Sequence, residues 1–225
     1  FSVRKDVNKV NGVHRKPDPD ELKTCLERYR ELGLYVLPIG PDGKILNRQH
    51  GKDNPIEELQ ARNKVFNVGV VAGTLSNVFV IEFHSIRAFH EFRKKLKEEK
   101  PETWKSIRNC CLISKAGNKY QLWIRPDNYN PPKITGLPET CSFLSSGNCV
   151  VAPPSLTPTG KCRFVLGEKL EPLPCEHYRE VLYTLFDLSG VKEKEKEEME
   201  DYDWVKEEEG IGKIEEKTVE EEKKE

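Results

Sequence analysis

Glu82 and His84 stand two residues apart at the end of the run Val78-Phe79-Val80-Ile81-Glu82-Phe83-His84, which reads as a buried strand. Side chains alternate faces along a strand, so these two point the same way while Ile81 and Phe83 point into the core. A carboxylate and an imidazole on one face can share a site, where they could ligate a metal ion or do acid–base work. No nucleophile at suitable spacing accompanies them, which sets a hydrolase aside.

The elements that must position this pair are legible on either side of it. Asp18-Pro19-Asp20-Glu21 reads as an N-cap, a proline at the first helical position and a capping-box glutamate. Leu22, Cys25, Leu26 and Tyr29 then recur at helical spacing until Gly33, after which Leu34–Leu37 looks like a strand. Asn54-Pro55-Ile56-Glu57 repeats the start signal for a short second helix, beyond a loop that holds Lys44, Arg48, His50 and Lys52. Residues 67–73 read as a strand and 74–77 as a turn, leading into the strand that bears Glu82. Ser85 caps a helix whose buried face is Ile86, Phe89, His90 and Leu96, with His90 at the edge of the core and Lys94, Lys95 and Lys97 in solvent. Residues 110–113 and 120–124 predict two strands joined by a flexible basic loop, Ser114 to Lys119, that could hold phosphate. Cys141–Leu144 and Cys149–Ala152 flank a Ser-Ser-Gly-Asn turn and predict a hairpin, and a strand near Arg163–Val165 and a helix near Pro174–Leu188 complete the body.

Charge divides the 225-residue chain. Residues 191–225 carry 16 acidic and 8 basic side chains, net −8, and the remaining 29 basic and 22 acidic side chains make the rest net +7. A basic body suits a phosphate-bearing partner, and an acidic tail can compete for that surface or dock elsewhere. The tail is charged low complexity with only scattered apolar residues such as Trp204 and Ile211, which predicts disorder. The organisation expected is an N-terminal extension over 1–17, one domain over 18–190 and a tail over 191–225. No apolar 18-residue stretch or signal-like start is present, and the seven cysteines lack a Cys-x-x-Cys pair, so the expectation is a cytoplasmic protein with reduced thiols and no membrane contact. Cys141, Cys149, Cys162 and Cys175 could meet at a metal only by accident of folding. The Lys and Glu excess is the composition seen in hyperthermophiles, in which a Cys141–Cys149 bridge is also allowed. The first residue is Phe, which predicts a truncated or processed N-terminus.

Four segments resemble, in order and spacing, the primase/polymerase (prim-pol) domain of plasmid and viral replication proteins, within the archaeo-eukaryotic primase superfamily. They are Tyr29-Arg30-Glu31-Leu32-Gly33 through Pro38 and Gly43-Lys44; Asn67-Val68-Gly69-Val70 through Gly73, Ser76 and Glu82; Ser114 to Arg125; and Gly147 through Val150-Val151-Ala152-Pro153-Pro154-Ser155 to Gly160. The likeness spans residues 20–187 and implies an α+β fold, a mixed or antiparallel sheet flanked by helices.

It also implies where the chemistry sits. Active members use an Asp-x-Asp or Asp-x-Glu pair at the strand end, a histidine in the next hairpin that contacts a nucleoside triphosphate, and a third aspartate on a later strand. Those positions fall here on Glu82 and His84, on Gln121, and on Ser142, so that only Glu82 keeps an acid. Two Mg²⁺ ions held about 3.5–4 Å apart need several hard oxygen ligands. A lone Glu with a His leans toward softer ions such as Mn²⁺ or Zn²⁺ and predicts polymerase chemistry absent or severely weakened, unless Glu139 supplies a replacement acid. Binding could persist: Ser114, Lys115, Lys119 and Gln121 are the expected nucleotide contacts, and Arg125, Lys133, Lys161 and Arg163 the nucleic-acid contacts. Tyr120, Trp123 and Phe164 could stack bases, although Trp123 and Phe164 read first as core residues. The expected partner is single-stranded or primed DNA, with nucleotide, and with replication proteins reached through the tail. Two other readings stay open: a working primase/polymerase that uses Mg²⁺ or Mn²⁺ at a Glu-x-His site, and an interaction module that keeps only the fold.

Overall fold

Asp18 starts the first helix as the sequence predicts: its carboxylate accepts from the backbone N–H groups of Asp20 and Glu21, and Pro19 follows at the first helical position. Such a cap is worth about 1 kcal/mol. The computed structural model describes residues 16–40, 45–46, 67–127, 134, 137–157 and 159–189. The expected helix near Asn54, the loop cations Lys44, Arg48, His50 and Lys52, the predicted contact Lys133, all of the tail and most of the N-terminal extension lie outside those residues. Within them, α1 (Pro19–Glu31) buries Leu22, Leu26 and Tyr29 and ends at Gly33, whose φ of +66° suits a residue without a Cβ. Glu21 does not close a capping box, because its carboxylate pairs with Lys161 across the fold.

The strands form two sheets. The smaller joins β1 (Val36–Ile39), β2 (Asn67–Val71) and β7 (Cys149–Ala152) in the order β1-β2-β7, all antiparallel. The larger runs β6-β3-β5-β4-β9-β8, built from β3 (Phe79–Phe83), β4 (Leu112–Ala116), β5 (Lys119–Pro126), β6 (Cys141–Leu144), β8 (Leu156–Thr157) and β9 (Gly160–Leu166). A short β10 (Pro172–Leu173) adds to β5 in parallel. The helices α2 (Ile86–Glu99), α3 (Pro101–Cys110) and α4 (Cys175–Ser189) complete the described elements.

The larger sheet is buried on both faces, and strand periodicity separates them. On one face Val78, Val80, Leu112 and Trp123 join a core with Leu22, Leu26 and Tyr29 of α1 and with Val68, Val70, Val150 and Ala152 of the smaller sheet. On the other, Phe79 meets Tyr178 of α4, while Phe83 meets Phe89 and Phe92 of α2. This is an α+β fold of mostly antiparallel strands, as expected.

Three expectations change. The basic loop from Ser114 to Lys119 is a tight hairpin: Ser114–Ala116 belong to β4, Lys119 opens β5, and Gly117, at φ +61°, turns the chain with Asn118. The strands at 141–144 and 149–152 are where predicted but do not pair with each other. β6 pairs with β3 in the larger sheet and β7 with β2 in the smaller, so the Ser145–Asn148 turn carries the chain between sheets. Gly73 allows that crossing, because a Cβ there would lie 2.3 Å from the Ser146 Cα. Finally, Pro101–Cys110 is a helix, with Pro101 in its first turn, so Cys110 ends α3 and does not begin a strand.

Candidate functional site

Glu82 sits on the central strand β3 with β6 on one side and β5 on the other. The register places Ser142 directly opposite it on β6 and Gln121 opposite it on β5, and β4 then sets Ser114 opposite Gln121. Four of the sequence-predicted residues therefore form one row across the sheet, on the face that packs toward α1 and the smaller sheet. Glu82, Gln121 and Ser142, the positions that the resemblance matched to the family's acids and histidine, are thus cross-strand neighbours.

Hydrogen bonds connect most of it. The Trp123 indole donates to Ser114 Oγ at 2.8 Å, and the Ser114 hydroxyl donates to Gln121 Oε1 at 2.8 Å. The Gln121 amide donates to Glu82 Oε2 at 3.2 Å, and Lys119 Nζ donates to Glu82 Oε1 at 2.8 Å. Each carboxylate oxygen of Glu82 thus has a protein donor, one of them a full positive charge. With 17% of its side chain exposed, Glu82 sits where losing such a partner is costly.

His84 lies one residue beyond β3, and its backbone N–H is held by the Thr140 carbonyl. Its ring does not meet Glu82. Nε2 lies 2.8 Å from Ser142 Oγ, and Nδ1 lies 2.9 Å from the backbone carbonyl oxygen of Glu139. A carbonyl only accepts, so Nδ1 carries the proton and donates to it. Glu139, considered as a replacement acid, thus meets the site through its backbone, and the residue is exposed. The imidazole orients the serine, and the pair forms a latch beside the Glu82–Lys119 pair.

Mg²⁺ or Mn²⁺, which the resemblance implies, does not fit this donor set. Mg²⁺ is held octahedrally by oxygens, through one or two free carboxylates completed by waters and substrate phosphates, and a two-ion centre needs carboxylate oxygens for both ions. The row offers one carboxylate, already bonded to an ammonium and an amide, together with a hydroxyl held by an imidazole. Among the described residues no group of three or more His, Cys, Asp or Glu side chains is arranged to hold a metal. The cysteines are all free, so Cys141 and Cys149 form no bridge. Burial pushes the thiol of Cys141 up to about 11 and that of Cys149 up to about 12. Burial, helped by the Cys25 thiol and by Glu82, does the same to Cys162, up to about 12, although Ser114 lies beside it.

The cations divide between the two faces. Among the described residues, Lys119 is the expected contact whose charge reaches the row. Lys115, next to Ser114 on β4, must face the other way, and its ammonium lies 5.8 Å from the Tyr120 ring centroid on the helix side. Tyr120 is stacked on Phe89 of α2, with centroids 4.3 Å apart, so that face of its ring is closed to a base. Arg125, expected to contact nucleic acid, donates to the carbonyls of Leu170 and Leu32 and is desolvated, which lowers its pKa. It joins β5 to the end of α1. Lys161 pairs with Glu21, and Arg163 is exposed in register with Lys115. Trp123 is fully buried, and Phe164 lies edge-on to Tyr29 and Trp123 under the Arg28 guanidinium, so both are core residues first.

Sequence reasoning missed Trp123 as the residue that anchors the polar row. An indole in a buried strand two residues from a buried amide was the available signal, since a buried Trp N–H needs an acceptor. It also missed that the resemblance motifs are largely scaffold. Ser155 Oγ accepts from Val68 N–H at 2.8 Å and donates to the Val68 carbonyl at 3.1 Å. The Asn67 side chain clamps Leu156 from both sides, at 2.8 and 3.1 Å.

The family model for the N-terminal domain of bifunctional DNA primase/polymerases, Prim-Pol, matches residues 26–176, which takes in all ten described strands. A comparison with curated proteins finds no match.

Proposed function

The chain belongs to the Prim-Pol family of bifunctional DNA primase/polymerase N-terminal domains, and from that premise we propose that it is a replication protein that binds DNA without polymerising it. Members of the family are metal-dependent, and the coarse assignment, a primase/polymerase-like replication protein, follows from membership. The finer reading rests on one observation: the sole acid of the row, Glu82, is neutralised from within by Lys119 at 2.8 Å. Phosphoryl transfer needs cations that clamp the triphosphate and the attacking oxygen together. An ammonium tied to Glu82 supplies one positive charge with no open ligand positions, and Ser142 and His84 bring no second carboxylate.

The partner on this reading is single-stranded or primed DNA in the cytoplasm, with the acidic tail as a docking arm for replication proteins or a DNA mimic. The Gln121 and Ser114 side chains, expected as nucleotide contacts, are 2% and 0% exposed and bonded within the row, so a nucleotide on this reading would meet Lys119, 41% of whose side chain is exposed. No described helix is long and apolar enough to cross a membrane.

Primer extension and de novo priming on a single-stranded template test the proposal, with Mg²⁺ and Mn²⁺ in separate reactions. The expected result is no incorporation with either ion, alongside oligonucleotide binding that weakens steeply with salt. Incorporation by the purified chain that disappears in Glu82→Ala would overturn it and restore the reading of a working enzyme with a Glu-x-His centre. Absence of any DNA binding at low salt would leave only the interaction-module reading.

A further inference from the structure

On the helix side of the larger sheet, opposite the Glu82 row, α2, α3, β4, β5 and β9 line a half-open groove of about 380 Å³. Its cations are Arg93, Lys97 and Arg108, with His90 beside them, and no carboxylate lines it. Lys115 and Arg163 flank it, being cross-strand neighbours on the same face. Its walls are Trp104, Tyr120 and Val165, the last 42% exposed.

The pairing of charges on α2 sets this stripe apart. Arg87, Lys94 and Lys95 each reach a carboxylate four residues on, and Lys95 also reaches Asp187. Arg93 and Lys97 are themselves four residues apart on the groove-facing stripe and make no ion pair with a described residue. Their charges lie instead 5.6 and 5.8 Å from the Trp104 ring centroid. Arg108, Lys115 and Arg163 likewise lack a described acidic partner. Like charges gathered without counter-charge repel one another, and an anion relieves that strain.

We propose that this groove is a nucleic-acid site: it holds the phosphodiester backbone of single-stranded DNA, with a base against the exposed Val165 and the Trp104 ring, 7% exposed, beneath the Arg93 and Lys97 charges. The proposal rests on the DNA-binding reading above and relocates it, because among the described residues the expected contacts Lys161, Lys119 and Arg125 are already engaged by Glu21, by Glu82 and by backbone carbonyls. The volume suits a phosphate–base unit, falling within the range of ordinary ligand pockets, roughly 300–1,000 Å³. A mixed wall of cations and apolar rings fits a strand that carries both phosphates and bases.

The test is fluorescence anisotropy of a labelled oligo-dT with the full chain across a salt series, comparing Arg93→Ser/Lys97→Ser/Arg108→Ser with Lys119→Ser/Lys161→Ser. Each lost phosphate contact lowers the slope of log affinity against log salt by about 0.7, so the groove variant should lose about 2 from its slope. At 0.1 M salt that corresponds to a loss on the order of 100-fold. Arg108→Glu alone, at an exposed position clear of the Trp104 ring, repeats the test with a matching melting temperature as the fold check. Quenching of tryptophan emission by unlabelled oligo-dT should be present in the wild type and strongly reduced in Trp104→Phe.

Loss of affinity in Lys119→Ser/Lys161→Ser with the groove variants unchanged would overturn the proposal and return the DNA to the Glu82 face, leaving the DNA-binding reading intact. No binding by the wild type would sink both. If a peptide of residues 191–225 binds the groove while oligo-dT does not, the occupant is an acidic protein segment and the proposal is wrong.

Discussion

Lys119→Met should destabilise the domain by about 2 kcal/mol, and the geometry around Glu82 fixes that size. Breaking a fully buried ion pair by removing one partner costs about 3–5 kcal/mol, whereas an exposed pair is worth about 0–1. Glu82 is near the first limit, with 17% of its side chain exposed, and Lys119 near the second, with 41%. Without the ammonium, the carboxylate keeps only the Gln121 amide at 3.2 Å. For a domain of this size 1 kcal/mol moves the melting temperature by about 2–4 °C, so the expected fall is about 4–8 °C. Glu82→Gln should cost less, about 1 kcal/mol, because the freed lysine can reach water while the neutral amide tolerates burial. The double variant should cost about 1.5 kcal/mol, which makes the coupling energy from urea unfolding about 1.5 kcal/mol and positive. Millimolar Mn²⁺ should leave the wild-type melting temperature unmoved. A coupling below about 0.5 kcal/mol, or a wild-type rise with Mn²⁺, would refute the idea that Lys119 occupies the cation position.

Three further outcomes follow from the same structure. His84→Asp/Ser142→Asp/Lys119→Ala sets three carboxylates around one register position and should gain a Mn²⁺-dependent rise in melting temperature, about 2.7 kcal/mol at a hundred times the dissociation constant. No gain by calorimetry or thermal shift would mean that the Glu82–Ser142 register does not define the site. Ser155→Ala removes the donor and acceptor that hold both backbone groups of Val68, and should lower the urea midpoint by the equivalent of about 1–3 kcal/mol. Cys141, Cys149 and Cys162 are held protonated by burial, with values up to about 11, 12 and 12. A raised folded-state value stabilises fully below the free thiol's value near 8.5 and is lost as pH rises toward 11–12. Stability should therefore decline above about pH 9, where urea-unfolded chain should also alkylate with iodoacetamide far faster than native.

How much was legible in the chain itself depends on the range of the interactions. Local signals read correctly: the Asp18 cap, the Ser85 cap on Ala88, the Gly33 stop, and the spans of β6 and β7. Glu82, Gln121 and Ser142 were singled out through the resemblance, and their adjacency across three strands is known only from the register. What failed depended on pairing partners far away in sequence. β6 and β7 look like a hairpin because they are adjacent and strand-like, yet β3 and β2 offer each a better-matched neighbour. The Ser114–Lys119 stretch looked like a loop because its composition is polar, whereas its polar groups alternate between a buried hydrogen-bonded row and the helix side. That alternation also means Ser114 and Lys115 cannot serve one ligand site, a conflict that strand periodicity alone could have exposed. The α3 helix was missed because Lys100 gives no side-chain cap and Pro101 alone carried the start signal. Arg125 was misread because backbone carbonyls as partners leave no trace in sequence.

The polar row also has a direction. An indole can give a proton to a hydrogen bond but cannot take one, so Trp123 forces the Ser114 hydroxyl to aim away from it, toward the Gln121 carbonyl oxygen. The amide is then locked against a flip and must present its NH₂ to Glu82. A tryptophan with no exposed surface thereby dictates, three bonds away, that the floor of the row offers protons outward. Any ligand that arrives there meets an asymmetric, pre-set edge wired from the core, and Trp123→Phe would cut the wire without touching the surface.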